Sequence, residues 1–333
     1  MNLANVVEQL SDDWADSQMP VDSTEGCLRA FTQLKQQYSE LKVLLSVGGG
    51  GKGSENFAKV ARNPATVDVF VKSAIDLVNQ FKLDGIDSMV PLVFTPLLAG
   101  RMIVMLMSFP VDWEHPADMQ QGHDYLHLLS KLREVLPSPR YTLTTALPAG
   151  EWALKNINLS AAQEYLDLIN LMAYDFSGPW VNLTGHQAQL YTPSCPHSEA
   201  ARISCQSAVN YMLSQGVNPK KILLGIPAYG RSFLGCNDIN QQYSGRGGED
   251  GAFDYCDLPR PGAKEYHDDA IGAAYCCGGE GGFITYDTPR TVQQKARFVT
   301  KMGLGGLFYW HITGDKRGSK SLVETGFKTL HDM

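Results

Sequence analysis

The chain has 333 residues, 44% of them hydrophobic and 19% charged, a composition that gives no indication of disorder and suits one barrel-sized domain carrying an insertion. Its formal charge of −7 offers no basic face to a phosphate backbone. The glycine-rich lysine stretch Gly48 to Ser54 (GGGGKGS) fails the spacing of a phosphate loop, because Ser46 stands where the first glycine belongs, so nucleic acid and nucleotide partners are not expected.

The start, MNLANVVEQL, has no basic segment followed by an apolar core, so no signal peptide is read there. Short β-branched runs then alternate with amphipathic stretches, which predicts βα units and a parallel sheet. Strands are predicted at Lys42 to Val47, Leu83 to Asp87 (continuing at Val111 to Glu114), Tyr141 to Ala146, Leu168 to Tyr174, Lys221 to Pro227 and Gly305 to Trp310. Helices are predicted at Ala65 to Phe81, Tyr125 to Leu136, Ser198 to Gln215 and Val292 to Met302. The region from about Ser232 to Thr285, rich in Gly and Tyr, breaks the βα rhythm.

The seven cysteines (Cys27, Cys195, Cys205, Cys236, Cys256, Cys276, Cys277) form no zinc-type pairs and read as structural thiols, free or partly disulfide-bonded. None of the eight histidines falls in a metal pattern. No metal or cofactor is expected. Two sequons, at Asn158 and Asn182, permit glycosylation of a secreted chain.

The chemistry lies in two fragments, Asp84-Gly85-Ile86-Asp87 and Val111-Asp112-Trp113-Glu114, separated by Ser88 to Pro110. Joined, they form one strand in which Asp87, Asp112 and Glu114 share a face, since residues two apart point the same way. Carboxyls a few ångströms apart cannot all ionise cheaply, and one kept protonated is a proton donor near neutral pH. A glycosidic oxygen is the natural recipient. By itself an Asp-Gly pair is more often a turn.

The segment Ser88 to Pro110 (SMVPLVFTPLLAGRMIVMLMSFP) has the length and polarity of a marginal membrane span. Its place inside a barrel strand, with Pro91, Pro96 and Arg101, argues against one. A retained intron accounts for it: codons AGT-ATG for Ser88-Met89 and CCA-GTC for Pro110-Val111 would supply a donor and an acceptor, and splicing would restore DGIDIDWE.

At these residues the chain resembles glycoside hydrolase family 18, the chitinases, and in particular fungal chitinases of bacterial type. The resemblance extends through LSDDWADSQMPVD (Leu10 to Asp22), KVLLSVGG (Lys42 to Gly49), YTLTTALPAG (Tyr141 to Gly150), LINLMAYDFSGPW (Leu168 to Trp180), KILLGIPAYGRSF (Lys221 to Phe233), FITYDTPR (Phe283 to Arg290) and GGLFYW (Gly305 to Trp310). It implies an α/β fold of the TIM (β/α)8 type, spanning residues 1–231 and 286–333, with a small α+β insertion domain at 232–285 and the aberrant apolar insert at 88–110. About forty residues precede Lys42, with only Leu3 to Val6 as a remnant, so strand 1 and most of strand 2 are expected to be missing. That would expose two strand edges.

The resemblance implies site roles as well. Glu114 is the general acid and then base, Asp112 orients the substrate's acetamido N–H, and Asp87 holds Asp112 and shares a proton with it. The nucleophile is the substrate's own acetamido oxygen, an exception to the two-carboxylate scheme, so configuration is retained. Tyr174 hydrogen-bonds that acetamido group. Substrate contacts fall to Asp175, Met172, Trp310, Tyr229, Arg231 and Trp113, with Trp310 as the floor under one sugar. Asp84, Gly85, Ser46, Gly48 and Gly49 read as structural, and His115 as packing beside the acid. The family often places an aromatic after its SxGG motif, where this chain has Gly50-Gly51-Lys52, which puts one sugar subsite in question.

The function implied is hydrolysis of β-1,4-linked N-acetylglucosamine polymers by a secreted monomer, whose partner is chitin or chito-oligosaccharide rather than nucleic acid or membrane. One alternative is a non-catalytic chitin-binding relative, inactive because its motif is split. Another is an endo-β-N-acetylglucosaminidase using the same acid row on glycoprotein glycans.

Overall fold

The structure is a computed structural model. It describes residues 13–47, 56–87, 113 and 115–332, and the backbone alone at 92–94 and 102–106. The chain divides into two compact units, one of residues 1–170 and 215–221, the other of residues 171–214 and 222–333.

In the first unit a small hairpin, β1 (Pro20–Val21) with β2 (Thr24–Glu25), leads into α1 (Cys27–Gln37). The βα units then follow: β3 (Lys42–Ser46), α2 (Phe57–Ala61), α3 (Pro64–Gln80), β4 (Gly85–Asp87), β5 (Leu92–Phe94), β6 (Met102–Leu106), α4 (Met119–Val135), β7 (Thr142–Pro148), α5 (Glu151–Leu154), α6 (Leu159–Tyr165) and β8 (Leu168–Met172). Local chemistry sets the helix starts. Pro64 occupies the first turn of α3, where no N–H is needed, and the Asn63 side chain accepts from Ala65 N–H. The Asp118 carboxylate caps α4 through Gln121 N–H. Arg133 near the end of α4 donates to Asp167 at 2.6 Å and to the carbonyl of Tyr165 at 2.7 Å, tying α4 to the entry of β8.

Strands β3, β4 and β7 run parallel, with Ser46 opposite Asp87 and Asp87 opposite Thr144. Strands β3, β7 and β8 are buried almost throughout with no alternation, β3 and β8 mainly through apolar residues and β7 with Thr142, Thr144 and Thr145 among its buried positions. Asp84 stiffens it from below: its carboxylate accepts Val43 N–H at 2.8 Å and pairs with Lys35 at 2.8 Å. Gly85 has φ +152, and a side chain there would meet the Thr142 carbonyl at 1.9 Å. Only glycine lets β4 approach β7 this closely.

One expectation is corrected here. The edge of β3 facing away from β4 is not open, because β6 pairs with it in parallel, Lys42 opposite Ile103 through Leu45 opposite Leu106. Strand β5 adds antiparallel to β6, with Val93 opposite Ile103. The apolar segment between the two motif fragments thus contains strands. The predicted return of the β4 strand at Val111 to Glu114 lies outside the described residues, apart from Trp113.

The second unit begins within β8 and continues through α7 (Glu199–Arg202), α8 (Cys205–Ser214), β9 (Ile222–Pro227), β10 (Tyr229–Phe233), β11 (Ala252–Asp254), β12 (Lys264–Asp268), β13 (Ala273–Cys277), β14 (Phe283–Thr285), α9 (Pro289–Met302), β15 (Gly306–Trp310) and α10 (Leu322–His331). The helix predicted over Ser198 to Gln215 is two helices, since Ile203 takes up an extended conformation at the end of α7. Strands β9 and β15 pair in parallel, Gly306 opposite Leu223 through Trp310 opposite Pro227. The region that breaks the βα rhythm is an antiparallel sheet in the order β11-β10-β14-β13-β12. It starts at Tyr229 rather than Ser232, and among its described residues the helical content is the single turn Tyr255–Asp257. Helix α9 opens on a capping box between Thr288 and Thr291 and closes on Gly303 at φ 66. Cys195, Cys205, Cys236, Cys256, Cys276 and Cys277 are free thiols.

Candidate active site

In the first unit the described part of the acid row is Asp87, the last residue of β4, with no exposed surface. A buried carboxylate is tolerable only when it is hydrogen-bonded. Thr144, opposite it on β7, donates its hydroxyl to Oδ1. Asn170, on β8, donates its amide to Oδ1 at 3.3 Å and to Oδ2 at 3.4 Å. Ser46, the register partner on β3, is buried as well. Asp112, Glu114, Gly48 and Gly49 lie outside the described residues.

Trp113, read from the sequence as a substrate contact, has its ring packed among other aromatics. It is buried, with its indole stacked on Phe57 at 5.8 Å and 7° and set edge-on to Tyr125 at 6.1 Å. Around these rings lies an apolar cavity of about 30 Å³, lined among others by Val47, Phe70, Ile86 and Leu129. Tyr125 is fixed there by a 2.6 Å hydrogen bond to Thr145. His115 sets its ring against exposed Trp152, centroids 4.5 Å apart.

The second unit carries the other half of the predicted site. Met172, Ala173 and Tyr174 follow one another out of β8 and all are largely buried. Tyr174 stands edge-on to Tyr229 at 6.2 Å and to Phe308 at 6.0 Å. It can do so because residue 225 is glycine: a Cβ there would sit 2.7 Å from Tyr174 Cε1 and 2.7 Å from Phe308 Cζ. Asp175 has φ 59, a left-handed conformation that Asp adopts more easily than most residues. That turn aims its carboxylate at Arg231, whose Nε and Nη2 reach Oδ1 and Oδ2, each at 2.7 Å.

The guanidinium of Arg231 lies 5.0 Å from the Tyr229 ring and 5.0 Å from the Trp180 ring. Burial alone would weaken its hold on the proton, but the hydrogen bonds and charge of Asp175 more than compensate and raise its pKa. Burial, and then the Asp175 charge, pushes the Tyr229 phenol well above its ordinary value. Trp180 is 58% exposed, an indole held flat by a cation with its outer face to solvent. Sequence reasoning included Trp180 in a matching segment and missed its place beside Arg231. Thr144 and Asn170 were missed too, having no charge or motif to mark them. Trp310 is partly exposed at the end of β15 and accepts Ala228 N–H at 2.6 Å through its carbonyl.

Among the described residues no group of side chains is arranged to hold a metal ion, and no helix is long and apolar enough to cross a membrane.

Comparison with known proteins identifies the family. The model of the glycosyl hydrolases family 18 matches residues 2–89 and 107–315. Endochitinase 1 of Metarhizium robertsii is 34% identical over 99% of this chain and 77% of its own length. Among solved structures, chitinase ChiA74 from Bacillus thuringiensis superposes with a TM-score of 0.83 at 26% identity, covering 98% of this chain and 58% of that one. A plant class V chitinase mutant from Cycas revoluta, solved in complex with (GlcNAc)3, gives a TM-score of 0.72 at 25% identity over 92% of this chain and 84% of its own. The fold is accordingly an α/β fold of TIM-barrel type.

Proposed function

Because the chain belongs to the glycosyl hydrolases family 18, we propose that it is a chitinase, cleaving β-1,4-linked N-acetylglucosamine chains with retention through substrate-assisted catalysis. One observation carries this reading. Both matched segments contain part of the acid row: Asp87 lies in the first, Asp112 and Glu114 lie in the second with Tyr174, and the break at residues 90–106 falls between them.

On this reading Glu114 protonates the leaving oxygen and later activates water. Asp112 holds the acetamido N–H so that its carbonyl oxygen attacks the anomeric carbon, and Asp87 supports Asp112. Tyr174 steadies the acetamido group, while Asp175 and Arg231 bind the sugar as one charged unit. Trp310 and Met172 give it an apolar floor. Chito-oligosaccharide is the partner, as in the Cycas complex, and the proposal places the protein outside the cell as a monomer. We read Ser88 to Pro110 as unspliced sequence, to be decided by a full-length transcript.

The test is hydrolysis of chito-oligosaccharides by the full chain and by Glu114→Gln. Turnover by the parent and its loss in the variant, with binding kept, is the expected result. Binding without turnover in the parent would favour the non-catalytic reading, because catalytic groups must be held to fractions of an ångström and the insert separates Asp87 from Asp112 and Glu114. Release of glycan from a glycoprotein, without action on chito-oligosaccharide, would redirect the assignment of substrate.

A further inference from the structure

The antiparallel sheet of the second unit gathers two free thiols, Cys236 and Cys277, at one end. Strand β13 pairs with β14, Tyr275 opposite Thr285 and Cys276 opposite Ile284, so the next rung sets Cys277 opposite Phe283. Strand β14 in turn pairs with β10, Phe233 opposite Phe283. Opposed residues of antiparallel strands share a face, and Cys277, Phe283 and Phe233 therefore line one face side by side. Tyr275, two residues before Cys277, lies on the same face and sets its ring 4.9 Å from that of Phe283.

Cys236 returns to that face from the end of β10. The chain turns at Gly235, whose φ of 78 favours glycine. The Cys236 thiol then donates to the Phe233 carbonyl at 3.4 Å, with the backbone N–H of Phe283 beside it. It is buried with Phe233 and Phe283 in an apolar cluster against which Tyr275 packs. Its sulfur thus lies over the Phe233 and Phe283 pair, and Cys277 is one strand away across Phe283. Burial raises the Cys236 pKa, and a negative charge on Cys277 raises it further.

The other thiols of this unit are placed elsewhere. Cys276 is fully buried on the opposite face, toward Tyr286. Adjacent strand residues face apart, so Cys276 is not the partner of Cys277. Cys205 is buried against the carbonyls of Ala173 and Ala188, while Cys195 and Cys256 are exposed.

We propose that Cys236 and Cys277 are redox partners that close a disulfide in an oxidising medium and fasten the turn after β10 to β13. Cys277, partly exposed, attacks one sulfur of a low-molecular-weight disulfide such as oxidised glutathione, whose S–S bond breaks and releases one thiolate. Cys236 then attacks the Cys277 sulfur of the mixed disulfide, and the second thiolate leaves. Two protein thiols are oxidised, one small disulfide is reduced, and the two protons end on the released thiols. Burial raises the pKa of both cysteines, which suits a structural bridge rather than a reactive pair. The bond closes a loop of about 40 residues that contains β11 and β12. Its presence in the native protein rests on the extracellular placement proposed above; the pairing itself does not.

The experiment incubates the full chain in a glutathione redox buffer, blocks it with iodoacetamide and digests it with trypsin without reduction. Mass spectrometry should find residues 232–246, which hold Cys236, joined to residues 265–290, which hold Cys276 and Cys277. The link should persist in Cys276→Ser and vanish in Cys277→Ser. Dithiothreitol should lower the Tm of the oxidised parent by about 5 °C and leave that of Cys277→Ser unmoved.

Full alkylation of Cys236 and Cys277 in the oxidised parent, or a link that survives in Cys277→Ser, would overturn the pairing. A linked chain whose Tm does not respond to dithiothreitol would overturn the fastening. If Cys276→Ser does not fold, Cys277→Ser decides alone. Neither readout uses turnover, so hydrolysis of chito-oligosaccharide by the same sample tells a failure of this inference from a failure of the chitinase reading.

Discussion

The Asp175 and Arg231 pair lends itself to a quantitative test by double-mutant cycle with Asp175→Asn and Arg231→Met. Two parallel N–H···O contacts of 2.7 Å join the side chains, which keep 32% and 16% of their surface exposed. An exposed ion pair contributes about 0.5 kcal/mol, whereas breaking a fully buried one costs about 3–5 kcal/mol. Bidentate geometry strengthens the pair, and the solvent reaching Asp175 weakens it. The coupling free energy should lie near 2 kcal/mol, with Arg231→Lys keeping about half, because an ammonium cannot make both bonds or lie flat against Trp180 and Tyr229. Denaturant unfolding of the parent, the two single variants and the double variant, followed by tryptophan fluorescence, gives the number directly. A coupling below about 0.5 kcal/mol would mean that water screens the pair, and the claim that it pre-forms a charged sugar-binding unit would fall.

His186 is buried, which lowers its pKa to about 4; the unfolded chain takes up that proton from about 6.5 downward. Its neutral burial therefore contributes stability above about pH 6.5 that is lost progressively as the pH falls toward 4, and His186→Gln should flatten this part of the stability curve. An unchanged acid limb in pH-dependent unfolding would count against the burial argument. Deleting Ser88 to Pro110 joins Asp87 to Val111 and frees the edge of β3, so turnover of chito-oligosaccharide should rise while soluble yield falls. Equal turnover in the parent and the deletion would show that motif spacing is not limiting.

Much of the fold was legible because parallel strands buried on both faces leave a strong signal. The runs around KVLLS, LINLM and GLFYW are apolar without alternation and are strands within a residue or two of their predicted limits. The antiparallel insertion was placed by its loss of rhythm, but its first strand was missed. Tyr229 to Phe233 follows β9 with only Ala228 between them, and the change of sheet there is made by long-range pairing with Asp254 and Thr285. The candidate site was legible where charge or motif marked it. Thr144 and Asn170 are a neutral hydroxyl and a neutral amide whose meaning comes from converging on Asp87. Trp113 sits inside the motif, and the packing of its ring on Phe57 and Tyr125 is a long-range contact that no motif marks.

The insert shows why secondary structure and function need separate evidence. A buried parallel strand such as β3 has backbone donors and acceptors on both edges, and leaving one edge unpaired costs hydrogen bonds and invites association. Any nearby segment rich in Leu, Ile, Val and Met can satisfy it, and Met102–Leu106 does. Pairing of this kind follows from composition and proximity. It therefore does not make the segment part of the catalytic design. The spacing of the acid row is far more specific, because residues two apart on one strand share a face and residues separated by an apolar insert have no such constraint. The family match agrees with that distinction, resuming at residue 107, after β6, and running on through Asp112, Glu114 and Tyr174. The residues proposed to carry the chemistry lie in the matched segments, and β6 covers the edge of β3.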